Sequence, residues 1–168
     1  MVDASRLIAN LFNAWFLRQR AFPAATLQAI RDRVARDELT HRGEIVFAIE
    51  SRLALRDLFQ GITPTRRAVQ LFAGLGVWET ECNSGVLIYV LLAEHRIEIF
   101  ADRGVSRRVS PERWIAVCEE ASAAFARGEF EAGSLAVIDR VSGLLREHFP
   151  AGDGQRNPNE LDDDPVVL

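Results

Sequence analysis

Apolar and polar residues follow one another along this chain in a pattern that predicts helices alternating with strands. The clearest part runs from Asn83 to Gly104, where seven consecutive apolar residues, Val86 to Leu92, precede a short polar break and an alternating stretch. The apolar run predicts a strand covered on both faces, and the alternation predicts a second, half-buried strand. Because the break, Ala93 to Arg96, leaves room only for a tight connection, the two strands should be antiparallel.

Apolar residues at helical spacing mark most of the remaining chain. The pattern predicts helices over residues 4–20, 23–39, 53–59, 63–76, 110–128 and 130–148, with a loop over 104–110. One more strand is predicted at Ile45 to Ile49, where the apolar run is rich in β-branched residues. A helix connects this strand to the hairpin, which favours a parallel, right-handed crossover. The predicted fold class is therefore α/β, a small mixed sheet with helices on both faces.

Charge and length add limits to this picture. The chain has 168 residues and a net charge of −4, and all of the excess negative charge lies in residues 151–168. The neutral body has no basic surface, which argues against nucleic acid as a partner. No apolar run is long enough to cross a membrane, and the first residues do not resemble a signal peptide. We therefore expect a cytoplasmic protein without a transmembrane segment.

The composition divides the chain into three parts. Residues 1–21 are predicted to form an amphipathic helix that packs on the domain or, alternatively, lies on the inner face of the membrane. Residues 22–150 are predicted to form the α/β domain. Residues 151–168 are rich in Gly, Asn, Asp and Pro and are predicted to be disordered.

Polar side chains flank both outer ends of the predicted hairpin. Asn83 precedes its first strand and Asp102 ends its second, so the two residues should lie at the same edge of the sheet. Glu79 and Glu81 come just before Asn83. Oxygen ligands of this kind suit Mg²⁺ or Ca²⁺, so the four residues are a candidate metal site, with Asp102 and Glu81 as candidate catalytic groups. Ordinary loop polarity and turn formation explain the same residues without any metal.

Two further groups are weaker candidates. Glu38, His41 and Glu44 lie between a helix end and a strand, and a histidine with carboxylates suits a transition metal or an acid–base pair. A histidine that simply interacts with the helix end is the alternative. The second group precedes the helix that begins at Ser110, where cationic side chains near a helix N-terminus would form an anion site or a solvated loop. Its members are Arg103, Arg107 and Arg108.

Several short motifs in the same order resemble the TPM domain family, named for thylakoid, plasma-membrane and related bacterial proteins. The resemblance covers about residues 22–150 and is carried by the stretch from Trp78 to Gly104 and by Phe125 to Gly133. Phe22-Pro23 and the segment from His41 to Ile45 resemble the smaller cytoplasmic bacterial branch of that family.

The resemblance implies a Rossmann-like sandwich, and in some members an acid-phosphatase-like, metal-binding activity. It also implies a membrane-associated partner, since bacterial members are often linked to LemA-type proteins. This chain lacks the acidic cluster that many secreted members carry ahead of the second strand. Two functions therefore remain open: a non-catalytic binding or assembly module, and a metal-assisted phosphatase-like hydrolase in which Glu81, Asn83 and Asp102 hold the cation.

Overall fold

The computed structural model describes residues 4–11, 14–152 and 159–168. Its helices and strands follow the predicted order over most of the chain. In chain order they are α1 (Ala4–Leu11), α2 (Ala14–Ala21), α3 (Ala24–Glu38), β1 (Glu44–Glu50), α4 (Leu55–Phe59), α5 (Pro64–Gly74), β2 (Gly85–Leu91), β3 (Arg96–Ala101), α6 (Arg103–Ser106), α7 (Pro111–Ala126), α8 (Phe130–His148) and β4 (Val166–Val167). The predicted α/β class is confirmed.

The four strands form one mixed sheet in the order β3-β2-β1-β4. β1 and β2 are parallel and are connected through α4 and α5, as the predicted crossover requires. β2 and β3 form the predicted antiparallel hairpin, in which Val86 pairs with Ala101 and Leu91 pairs with Arg96. The hairpin therefore places residues 83–85 beside residue 102 at one edge of the sheet.

The sheet separates two hydrophobic clusters, and successive residues of the central strands enter them alternately. Phe47 and Ile88 face the cluster built with α3, α7 and α8, whereas Ala48 and Tyr89 face the cluster built with α4 and α5. Every residue of β1 and β2 is buried, which explains why these strands appear as nearly continuous apolar runs.

Local side chains fix several of the predicted helix starts. Thr63 caps α5, because its Oγ1 accepts a hydrogen bond of 3.2 Å from the N–H of Arg66, and Pro64 occupies the first turn. Pro111 likewise occupies the first turn of α7. None of the helices in the described part of the chain is long and apolar enough to span a membrane.

The structure corrects two predictions. The predicted loop after β3 contains a short helix, α6, that begins directly after Asp102. The predicted disorder of residues 151–168 is wrong for residues 159–168, because β4 pairs in parallel with the outer edge of β1. The N–H of Leu168 donates to the carbonyl of Ile49 at 2.8 Å, so the last residues extend the sheet.

Candidate functional site

The two outer ends of the hairpin meet, as the sequence predicts. The N–H of Asp102 donates a hydrogen bond of 2.9 Å to the carbonyl of Gly85, which holds the end of β3 beside the start of β2. The N–H of Gly104 donates to the carbonyl of Asn83 at 3.1 Å. Asn83 and Asp102 thus lie at one edge of the sheet, next to the loop that precedes β2.

Asp102 is buried, with 8% of its surface exposed, and it caps α6. Its Oδ1 accepts a hydrogen bond of 2.6 Å from the N–H of Arg103. Its Oδ2 is buried and has no hydrogen-bond partner in the described part of the chain. One oxygen of this carboxylate therefore stabilises the fold, and the other is an unexplained polar atom at the candidate site.

Asn83 has a left-handed backbone with φ of 50°, a conformation that asparagine tolerates better than most residues. Its Oδ1 accepts a hydrogen bond of 2.9 Å from Nε of Arg103. The predicted metal ligand and the predicted anion-binding arginine are therefore bonded to each other. This contact fastens the loop before β2 to the beginning of α6.

Glu79 and Glu81, the acidic residues of the loop before β2, are exposed to solvent. The Glu81 side chain is 72% exposed and forms an ion pair of 3.5 Å with Arg42. Its backbone N–H donates to the carboxylate of Glu160 at 3.1 Å. In the part of the chain that the structure describes, no three His, Cys, Asp or Glu side chains converge as metal ligands do. Glu79, Glu81 and Asp102 do not form such a group, and the predicted site that adds Asn83 to them stays a prediction.

The three arginines near α6 have different surroundings. Arg103 is bonded to Asn83, as above. Arg108 donates a hydrogen bond of 2.6 Å to the carbonyl of His148 and lies 4.3 Å from the ring centre of Phe149, so it binds the end of α8. Arg107 is exposed at the end of α6. Arg103 and Arg108 thus have other partners, and the predicted anion site at the start of α7 stays a prediction.

Glu38, His41 and Glu44 are all buried between α3 and β1. Oε1 of Glu38 accepts a hydrogen bond of 2.7 Å from the N–H of Ile45, and Oε2 of Glu44 accepts one of 3.2 Å from Leu161. Nδ1 of His41 lies 3.0 Å from the carbonyl of Gly43. The three side chains serve the backbone around them, and they do not form a group of metal ligands within the described residues.

Burial decides the charge of this second cluster. It raises the pKa of Glu38 to about 10, with the neighbouring Glu44 as the second cause, and it lowers the pKa of His41 to about 4. At neutral pH both side chains are therefore uncharged. A protonated carboxyl and a neutral imidazole at these positions fit a buried structural cluster.

The loop before β2, residues 77–84, is held rigidly at its base. Hereafter we call it the Trp78 loop. The N–H of Ser84 donates to Oγ1 of Thr80 at 2.9 Å, and Oγ of Ser84 donates to the carbonyl of Arg42 at the same distance. Val77 is fully buried, whereas 52% of Trp78 is exposed. The fold thus presents a large aromatic side chain on a well-anchored loop.

The sequence reasoning missed a polar network at the carboxyl end of β1, on the far side of the sheet from the Trp78 loop along the strands. Glu50, the last residue of β1, accepts two hydrogen bonds of 2.9 Å from Arg67 and one of 2.6 Å from the Tyr89 hydroxyl. Burial and the adjacent Glu50 carboxylate raise the pKa of Tyr89 above its usual value. A charged residue that ends a buried strand is the signal that could have indicated this network.

These features define a class of protein: an α/β sandwich with a parallel crossover, an antiparallel hairpin and polar residues gathered at the open end of that hairpin. The model of the TPM domain family matches residues 11–144. The chain belongs to the TPM domain family, which confirms the resemblance seen in the sequence.

A solved structure supports this assignment. The NMR structure of the BA42 protein from the psychrophilic bacterium Bizionia argentinensis is similar to this chain, with a TM-score of 0.75 and 26% sequence identity. The match covers 86% of this chain and 94% of BA42. No curated protein matches the sequence.

Proposed function

We propose that this chain is a non-catalytic binding module of the TPM domain family, and that its partner binds the Trp78 loop. The observation that carries the proposal is the exposure of Trp78 on a loop with a buried, hydrogen-bonded base. Tryptophan is enriched among the residues that dominate the energy of protein interfaces. A rigid loop also loses little conformational entropy when a partner binds.

The state of the candidate catalytic groups supports the same function. Asp102 caps a helix, Glu81 pairs with Arg42, and Asn83 is bonded to Arg103. Each of these side chains already has a contact that stabilises the edge of the sheet. These contacts hold the Trp78 loop in place. The three side chains do not include a nucleophile with an adjacent base.

The partner that we propose is a membrane-associated protein, with a LemA-type protein as the first to test. Binding at a membrane complex would place this chain at the inner face of the membrane through its partner. The exposed Phe16 on α2 would lie on the outside of the module and could contribute apolar surface.

Replacing Trp78 with Ala is expected to weaken binding to the soluble domain of a LemA-type protein by about thirtyfold, the loss typical of a central interface residue. Titration calorimetry on both variants would measure the change. Phe59→Ala is the matched control, because Phe59 is another exposed aromatic residue and lies on α4, away from the loop. Equal losses in the two variants would contradict the proposed surface.

The alternative function is a divalent-metal-assisted phosphatase-like hydrolase. The buried Oδ2 of Asp102, which lacks a hydrogen-bond partner in the described part of the chain, is the observation that favours it. The poor convergence of Glu79, Glu81 and Asp102 speaks against it.

A phosphatase assay separates the two functions. With p-nitrophenyl phosphate and Mg²⁺, Mn²⁺ or Ca²⁺, we expect the wild-type protein to release no more nitrophenol than the Asp102→Asn variant. Asparagine is a good helix cap, so this variant should keep α6 in place. Hydrolysis that Asp102→Asn abolishes and Glu119→Gln, an exposed control, leaves intact would establish the hydrolase instead.

A further inference from the structure

A second candidate binding site lies at the other end of the hairpin. A cavity of about 280 Å³ opens at the carboxyl end of β2, far along the strand from the Trp78 loop. Its walls come from α2, from β2 and the turn that follows it, and from the connection between α7 and α8. The apolar residues of these walls include Leu17, Ala21, Val90, Leu92, Phe125 and Phe130.

The charged residues that line the cavity are all basic. They are Arg20 on α2 and Arg96, the first residue of β3; His95 in the turn before β3 also lines the cavity, and none of the acidic residues that the structure describes does. All three are exposed. Arg96 donates a hydrogen bond of 3.1 Å to Glu98 further along β3, whereas Arg20 forms no ion pair with any residue that the structure describes. An apolar interior with a cationic rim complements an amphiphilic anion.

The position of the cavity agrees with a general property of the fold class. Open α/β sheets bind ligands outside the carboxyl ends of their strands, and ligand pockets are concave and mostly apolar with a few polar groups that set orientation. Val90 and Leu92 line the cavity at the carboxyl end of β2, and both are buried. Leu17 and Arg20, at exposed positions of α2, line it as well.

We propose that this cavity binds an aliphatic carboxylate of medium chain length. The hydrocarbon chain lies among Leu17, Leu92 and Phe130, and the carboxylate pairs with Arg20 at the rim. A planar guanidinium can hold both carboxylate oxygens at once. Walls on several sides favour a free small molecule over a membrane surface, which would need an exposed, flat or convex apolar face.

Displacement of a fluorescent probe tests this site. The probe 8-anilinonaphthalene-1-sulfonate joins an aromatic body to an anion, so it should bind the cavity and fluoresce. Decanoate is expected to displace it in a saturable manner. Decanol and decyltrimethylammonium carry the same chain without negative charge and should displace it at least tenfold less well, since they lose a charge-assisted contact.

Variants locate the site. Arg20→Gln is expected to weaken the binding of decanoate about tenfold, because a hydrogen bond to a charged group is lost. Arg18→Gln is the matched control, since Arg18 belongs to the same helix but lines a different surface, beside Glu50 and Arg52. Ala21→Leu should reduce the affinity for decanoate and decanol alike by filling the apolar interior. Circular dichroism on each variant would verify that the fold is retained.

Three results would overturn the proposal: no displacement by decanoate, equal displacement by decanol and decanoate, or equal affinities in the Arg20→Gln and Arg18→Gln variants. Co-sedimentation with vesicles of anionic phospholipid tests whether the site binds a membrane surface instead. Co-sedimentation with vesicles that depends on Arg20, without displacement of the probe by decanoate, would indicate a membrane surface instead. None of these results depends on Trp78, so the outcome is independent of the proposed partner-binding loop.

Discussion

Raising the pH from 7 to 9 is expected to lower the free energy of unfolding by about 3 kcal/mol through Glu38 alone, at about 1.4 kcal/mol for each pH unit. Glu38→Gln is expected to remove this dependence. The carboxyl of Glu38 is buried beside Glu44, which together with the desolvation raises its pKa to about 10. The native state therefore holds a proton that the unfolded chain has already released.

The direction of this pH dependence follows from the pKa values of Glu38 in the unfolded and the native state. In the unfolded chain Glu38 ionises near its usual pKa of 4.5, whereas in the native state it stays protonated to about pH 10. Stability from this group is complete below pH 4.5 and is lost progressively as the pH rises toward 10. His41 acts in the opposite direction, because its pKa is lowered to about 4, but its contribution changes only between pH 4 and 6.5.

Urea unfolding at pH 7, 8 and 9 measures how the free energy of unfolding changes with pH. Gln at position 38 can still accept the hydrogen bond from Ile45, so the variant should fold and should be less sensitive to pH than the wild type. Glu119→Gln removes an exposed carboxyl and serves as the control with an unchanged slope. Parallel slopes for the wild type and Glu38→Gln would show that Glu38 is ionised in the native state.

The fold was predictable wherever one face or both faces of an element are apolar. Val86 to Leu92 had to be a covered strand, and the short break after it required the hairpin that β2 and β3 form. Because the hairpin fixes the register, the meeting of Asn83 and Asp102 was predictable from the sequence as well.

The missed elements depend on contacts that no local pattern reveals. The composition of residues 151–168 is typical of disorder, yet β4 pairs with β1, and Glu160 and Leu161 bind Glu81 and Glu44. Those partners are about eighty residues or more away in sequence. A short helix such as α6 has too few residues for a periodic signal, and one carboxylate oxygen of Asp102 starts it.

The candidate site shows the same limit at the level of side chains. Strand pairing determined which residues share an edge, but the direction of each side chain depends on its nearest partners. Arg103 donates a hydrogen bond to the amide oxygen of Asn83, and Arg42 forms an ion pair with the carboxylate of Glu81. Oxygen atoms that looked like a set of ligands in the sequence are therefore distributed over separate contacts.

The second large effect is expected at Gly104, where the Trp78 loop contacts α6. A Cβ atom added at Gly104 would overlap the carbonyl oxygen of Asn83 and lie 2.8 Å from that of Cys82. Both are backbone atoms and cannot rotate away, so the loop would have to move. Gly104→Ala is expected to destabilise the protein by about 3 kcal/mol, the upper end of the usual cost of overpacking.

Gly74→Ala provides a matched control for Gly104→Ala. Gly74 ends α5, and an added Cβ there would meet no atom within 4 Å. Alanine favours the helix more than glycine does, so this variant should be as stable as the wild type or more stable by about 0.5 kcal/mol. Urea unfolding of both variants at one pH measures the difference, and equal stabilities would contradict a tight contact between Asn83 and Gly104.

The same pair of variants links the packing of this edge to the proposed function. If the partner binds Trp78, the displacement of Asn83 in Gly104→Ala should weaken binding under conditions where the variant is still folded, because the loop is continuous from Trp78 to Asn83. Gly74→Ala should bind as the wild type does. A folded Gly104→Ala variant with unchanged affinity would place the partner elsewhere on the molecule, since the loop can hardly move at one end without altering the surface at the other.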